Sequence, residues 1–140
     1  VILLFIHADS IAFEVTKPTR FGEELETAPQ SGQMKDALVV FAAVEESDEN
    51  SRDAVAQRSI GETVRICNQL GAQNVVVYPF AHLTSNLAKP QTALWVLRRM
   101  EELLKERGYQ TLRAPFGWYK RLELKTKGHP LSELSRRITV

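Results

Sequence analysis

A chain of 140 residues, 44% apolar and 25% charged, has room for one compact folded domain and excludes a two-domain arrangement. It buries roughly 70% of its unfolded surface, so it needs no disulfide or structural metal, and its one cysteine, Cys67, excludes an internal disulfide and suits a reducing, cytoplasmic setting. The net charge of +1 conceals an asymmetry, because residues 1–88 hold 6 Lys/Arg against 12 Asp/Glu and residues 89–140 hold 12 against 5; halves of opposite sign suggest a polyanion such as nucleic acid docking on one side.

Val1–His7 is a continuous apolar run suited to a buried strand. It is short, lacks a basic leader and runs directly into His7 and Asp9, so it reads as a strand and not as a signal peptide. No stretch approaches the ~20 apolar residues that span a bilayer, and no membrane partner is expected. A turn near Asp9-Ser10 precedes a second expected strand, Ala12–Val15. Residues 16–36 hold Pro18, Gly22, Pro29 and Gly32 among polar side chains and predict an irregular surface stretch. Ala37–Val44 is a third apolar run.

Asn50 or Ser51 can cap a helix in which Ile60, Val64, Cys67 and Leu70 recur at helical spacing, with Gly71 as its C-terminal stop. Val75–Tyr78 predicts a short buried strand stopped by Pro79. Pro90 suits the first turn of a second helix, whose apolar stripe is Ala93, Val96, Leu97, Met100 and Leu104 and whose end is Gly108. A strand at Gln110–Arg113, a loop at Ala114–Gly117, a strand near Lys120–Lys127, a Gly128-His129-Pro130 turn and a short tail complete the chain. This order gives an α/β domain over residues 1–140 with mixed sheets and two main helices.

Two loops have the composition of a ligand site. Tyr78-Pro79-Phe80-Ala81-His82-Leu83 follows the end of a buried strand, where α/β proteins place their ligand crevice. Ala114-Pro115-Phe116-Gly117-Trp118-Tyr119-Lys120 is the other. Each joins a proline-stiffened backbone, able to hold N–H groups toward a ligand, to aromatic rings able to stack on a base and to one ionisable side chain. Taken singly, such loops more often just pack a turn against the core. His82 is the histidine best placed for function; Lys120 opens a strand directly after an aromatic loop; Glu133 reads by default as a surface carboxylate. There is no phosphate-binding glycine loop and no G-x-S-x-G elbow. One cysteine and three scattered histidines do not make a typical transition-metal site, so neither metal nor cofactor is expected.

The first loop, with Leu87-Ala88-Lys89-Pro90, resembles a signature of the N-terminal editing domain of archaeal threonyl-tRNA synthetases. The second loop resembles another, and Lys127-Gly128-His129-Pro130-Leu131-Ser132-Glu133-Leu134-Ser135-Arg136 a third. Leu3 to Asp9 is similar to the family's first strand, so the likeness runs the length of the chain. Trp118 stands where similar sequences often have tyrosine, which keeps an aromatic face. The resemblance implies a fold shared with D-aminoacyl-tRNA deacylases, a homodimer with its pocket near the subunit interface, and hydrolysis of serine from tRNA(Thr). By matching position it implies Lys120, His82 and Glu133 in the reaction centre. Tyr119, Phe116, Gly117 and Pro79-Phe80-Ala81 would line the pocket, with Val44 bordering the terminal adenosine. A synthetase catalytic domain in cis or in trans is a further implied partner, the chain being either an excised domain or a free-standing editing subunit.

The chemistry is coherent with these residues. Serine lacks one methyl group of threonine, a difference worth only ~1–3 kcal/mol in a binding pocket, so a second, hydrolytic sieve is needed. With no nucleophilic triad in the chain, hydrolysis would rest on backbone donors of the two loops, on Lys120 and on the vicinal ribose hydroxyl. A D-aminoacyl-tRNA deacylase and a non-catalytic tRNA-binding or dimerisation module are the competing readings.

Overall fold

A strand apolar at nearly every position must be covered on both faces, and this requirement sets the architecture. The computed structural model describes residues 1–140 and makes Val1–His7 the beginning of a 17-residue strand, β1 (Ile2–Pro18). The remaining strands are β2 (Ser31–Ala43), β3 (Asn74–Pro79), β4 (Gln110–Arg113), β5 (Trp118–Thr126) and β6 (Glu133–Arg137). They form one mixed six-stranded sheet in the order β4-β3-β2-β1-β5, with β6 also paired to β1. β3 is parallel to β2 and β4 to β3, while every pairing of β1 is antiparallel. Parallel neighbours need crossovers, and α1 (Arg52–Leu70) and α2 (Pro90–Glu106) supply them.

The expected helix signals act as such. Gly71 is left-handed, with φ of 70°, and its N–H donates to the Cys67 carbonyl. Pro90 opens α2 at a position whose N–H would have no partner, and the preceding Lys89 N–H donates to Glu49 Oε1 at 2.8 Å. Ala93, Val96, Leu97, Met100 and Leu104 are all buried. Fully burying Leu97 or Met100 contributes about 1.5–3 kcal/mol each. Cys67 is buried beside them, and burial pushes its thiol up to about 11, which removes it as a nucleophile.

Helices cover one face of the sheet only. Leu3, Phe5, Leu38, Val40, Val75 and Val77 meet α1 and α2 there. The second apolar cluster, with Ile6, Phe13, Val39, Phe41, Val76 and Tyr78, draws nothing from either helix. The sheet coils over that face instead. Phe13 of β1 stands edge-on to Tyr78 of β3 at 6.2 Å, and Lys120 Nζ of the far strand β5 lies 5.2 Å from the same tyrosine ring.

Three expectations are corrected. The turn at Asp9-Ser10 is a bulge within β1: the register against β5 slips between Ala8 and Ser10, so one long strand replaces two. Asp9, left over by the bulge, takes an ion pair from Lys127 at 2.9 Å. The irregular stretch shrinks to residues 19–30, because β1 runs to Pro18 and β2 begins at Ser31. The C-terminal tail contains β6, paired with Ile2–Ile6. Its alternating polar residues bury little beyond Leu134, so no apolar pattern marks it.

Candidate functional site

The β3 strand ends at Pro79, which has no N–H to extend the ladder. The chain continues through Phe80, whose N–H donates to the Ala42 carbonyl at 2.9 Å, into a single 3-10 turn over Ala81–Leu83. This is one wall of a cleft of about 610 Å³. The opposite wall is Phe116-Gly117-Trp118-Tyr119-Lys120, and Ala42-Ala43-Val44 at the end of β2 closes the floor beside Ala88, Ala93 and Leu97. Nine of the ten residues named from the sequence thus meet in one place: Lys120, His82, Pro79, Phe80, Ala81, Phe116, Gly117, Tyr119 and Val44 all line the cleft. Glu133 does not. It is exposed on β6, across from Ile6, and outside the cleft of its own chain.

Lys120 is half-buried over Tyr78, and its Nζ donates to the Trp118 carbonyl at 2.7 Å. No carboxylate pairs with it. Loss of hydration brings the Lys120 ammonium down to about 8, against which the charge of Glu23 pulls weakly upward. The result is an ammonium with donor capacity to spare, held at the foot of an aromatic loop. His82 is exposed at the rim, its ring edge-on to Phe80 at 5.4 Å.

A segment without any pattern in the sequence holds this arrangement. Glu23 is buried and takes both oxygens to a buried guanidinium, Arg113 Nη1 and Nη2. It also accepts from the Phe116 N–H at 2.7 Å and from Thr27 Oγ1 at 2.7 Å. Burial pushes the Glu23 carboxyl up, but Arg113, the Phe116 amide and Thr27 together outweigh it and hold the group below the usual carboxylate range. The backbone repeats the clasp: Glu23 N–H donates to the Phe116 carbonyl at 3.0 Å, and the Trp118 indole donates to the Glu23 carbonyl at 2.9 Å. Trp118 is therefore a fastener of its loop. Thr19 completes the attachment, giving both its N–H and its hydroxyl to the Gly117 carbonyl at 2.8 Å each. Thr19, Arg20 and Phe21 then form part of the cleft wall. Nothing in spacing or periodicity announces Glu23, and its partner Arg113, the one buried residue of β4, carries a charge that the sequence alone would place in solvent.

Gly117 is required at the tightest point. Its φ is 77°, and a Cβ there would lie 2.4 Å from the Phe21 carbonyl oxygen. Its N–H donates to no other atom of the chain, and Gly117 itself lines the cleft. Gly117→Ala is expected to lower stability by about 1–3 kcal/mol through backbone strain alone. A urea midpoint equal to that of the parent would show that the loop relaxes at no cost.

Comparison with known proteins extends this geometry. Residues 1–138 match the family described as the archaea-specific editing domain of threonyl-tRNA synthetase. The chain is 52% identical over 137 residues to a threonine–tRNA ligase of Methanopyrus kandleri, which covers 98% of this chain and 22% of that one. It is 48% identical over 136 residues to a threonine–tRNA ligase of Methanocaldococcus jannaschii, covering 97% and 22%. It therefore spans about a fifth of the length of the curated relatives it matches. Among solved structures, a c-Myc DNA unwinding element binding protein superposes over 100% of both chains with a TM-score of 0.69 at 11% identity, a likeness of fold alone. The mixed α/β, D-aminoacyl-tRNA deacylase-like fold class expected from the sequence is the one found.

Proposed function

The chain belongs to the family of archaea-specific editing domains of threonyl-tRNA synthetase, and from that premise we propose that residues 1–140 act as one proofreading unit that hydrolyses the ester of L-serine on tRNA(Thr). The observation that carries the reading is the meeting of the two stiff loops around a desolvated, unpaired ammonium, Lys120, in one cleft. A volume of about 610 Å³ suits a nucleoside bearing a small acyl group.

In the proposed mechanism the terminal adenosine lies along Tyr119, Pro79 and Phe80, with Val44 at its edge. The seryl group reaches Lys120, whose ammonium donates to the serine hydroxyl and to the attacking water. Water oxygen bonds to the ester carbonyl carbon, and the developing oxyanion takes the free Gly117 N–H as donor. The carbon–oxygen bond to ribose then breaks, the ribose oxygen takes up the proton that the attacking water gives up, and free serine is released. The vicinal ribose hydroxyl guides the water, a role the protein's lack of a triad leaves open. His82, at the rim, orients the ribose. A methyl group added to the serine carbon would crowd Lys120 and displace the water, which spares threonine.

The active form is proposed to be a homodimer in the cytoplasm, working with a synthetase catalytic domain in cis or in trans. Glu133, outside the cleft of its own chain, enters the reaction only through the second copy. No helix is long and apolar enough to cross a membrane.

The test is deacylation of Ser-tRNA(Thr) and Thr-tRNA(Thr) side by side. Rapid release of serine with threonine retained is the expected result; release of neither above the spontaneous rate overturns the reading. Faster release of a D-amino acid than of L-serine would move the chain to the D-aminoacyl-tRNA deacylase activity. A substrate ending in 2′-deoxyadenosine, charged on the 3′-hydroxyl, is expected to be turned over far more slowly.

A further inference from the structure

Beyond the reacting end, the mouth of the cleft has features that a nucleoside alone does not use. Phe21 is 47% exposed and Tyr119 58% exposed, although both line the cleft. Exposed apolar side chains are ordinary when scattered singly, whereas open rings gathered at the rim of a groove and edged by polar groups mark an interaction site. Each carries a cation. The Arg20 guanidinium lies 4.7 Å from the Phe21 ring centroid, and Lys17 Nζ lies 5.7 Å from that of Tyr119. Neither cation has a carboxylate, whereas Arg98, Arg113, Arg136 and Arg137 are all paired. The acidic side chain nearest Arg20 in sequence, Glu23, is turned inward to Arg113. Open rings backed by unpaired cations match single-stranded nucleic acid, with bases for the rings and phosphates for the charges.

We infer that Phe21 and Arg20 form a second nucleobase subsite at the cleft mouth, which stacks the base of the nucleotide preceding the terminal adenosine and holds the phosphate between them. The inference rests on the editing reading in one respect only, that the cleft takes the terminal nucleoside of an RNA. The anchor is well placed for this work. Phe21 touches Gly117 through its main-chain carbonyl, so the ring can be removed while the contact that shapes the loop is kept.

The experiment measures binding of the uncharged trinucleotide cytidylyl-cytidylyl-adenosine and of adenosine 5′-monophosphate to the full chain, for the parent, Phe21→Ala and Phe21→Trp. Stacking of one base predicts that Phe21→Ala lowers the ratio of the two affinities at least about fivefold, and that Phe21→Trp restores it. A ratio unchanged by Phe21→Ala overturns the subsite, as does an equal loss for both ligands, which would make Phe21 a support of the cleft. The serine-release assay on the parent is read separately. A chain that fails to release serine yet shows the drop in ratio keeps the subsite and loses the editing reading. A chain that releases serine with no drop keeps the editing reading and loses the subsite.

Discussion

Glu23→Ala is expected to destabilise the chain by about 3–5 kcal/mol, the usual consequence of leaving a buried charge without its partner. Arg113 is 1% exposed and would keep only Glu101, at 2.9 Å, and the Thr27 carbonyl. For a chain of this length the loss corresponds to roughly 10–20 °C in the thermal midpoint. Function should fall with it, since the same carboxylate holds the Phe116 amide at 2.7 Å. The pH dependence has a definite sign. The folded-state pKa of Glu23 lies below its unfolded value of 4.5, so its contribution is complete above that value and disappears as pH falls through the lowered one. The parent and Glu23→Ala should therefore differ most near neutrality and converge in strong acid. A difference in midpoint that stays constant down to pH 2 would refute an ionised role for Glu23.

Lys120→Met is expected to reduce serine release by about 10²–10³-fold, the scale of losing a donor aimed at developing charge. His82→Ala and Glu133→Ala should each cost much less, because His82 is exposed at the rim and neither side chain is proposed to donate to the developing charge. Equal, mild effects at all three positions would count against Lys120 as the central group. Methionine fills the aliphatic space and removes an ammonium that gives up hydration, so the variant should fold as well as the parent. The pH profile separates the two protonation states of the lysine. If the ammonium acts, kcat/KM relative to the spontaneous rate falls as pH rises through about 8, and a neutral amine acting as base would give the opposite slope. Unfolding does not confuse the result. Between about 8 and the ordinary 10.5, the unfolded chain binds the extra proton, so rising pH makes Lys120's own contribution to stability more favourable.

Local signals in the sequence were legible where one residue type has one backbone use. Pro90 opens its helix, Gly71 and Gly108 both adopt positive φ at helix ends, and Gln110–Arg113 is a strand to the residue. Both aromatic loops face one cleft for a related reason: each follows a strand end on the same side of the sheet. What failed to show was anything set by partners distant in the chain. Asp9 looks like a turn residue because a bulge and a turn both interrupt an apolar run with polar side chains. β6 is nearly all polar and owes its existence to the hydrogen bonds of β1. Glu23 sits among polar neighbours, and only the folded chain shows that it faces Arg113. For Glu133 the matching motif names the residue, and only the fold shows that it stands across from Ile6, outside the cleft of its own chain.

The clasp between Glu23 and Arg113 joins positions 90 residues apart. Closing so long a loop carries an entropic cost that a chain meets only once the intervening strands and helices are in place. During synthesis from the N-terminus, residues 19–27 must wait in solvent until the ribosome has released the strand that holds Arg113. The cleft is then among the last parts of the molecule to mature, and a nascent chain that has already packed its helices against the sheet still lacks one of the cleft's walls.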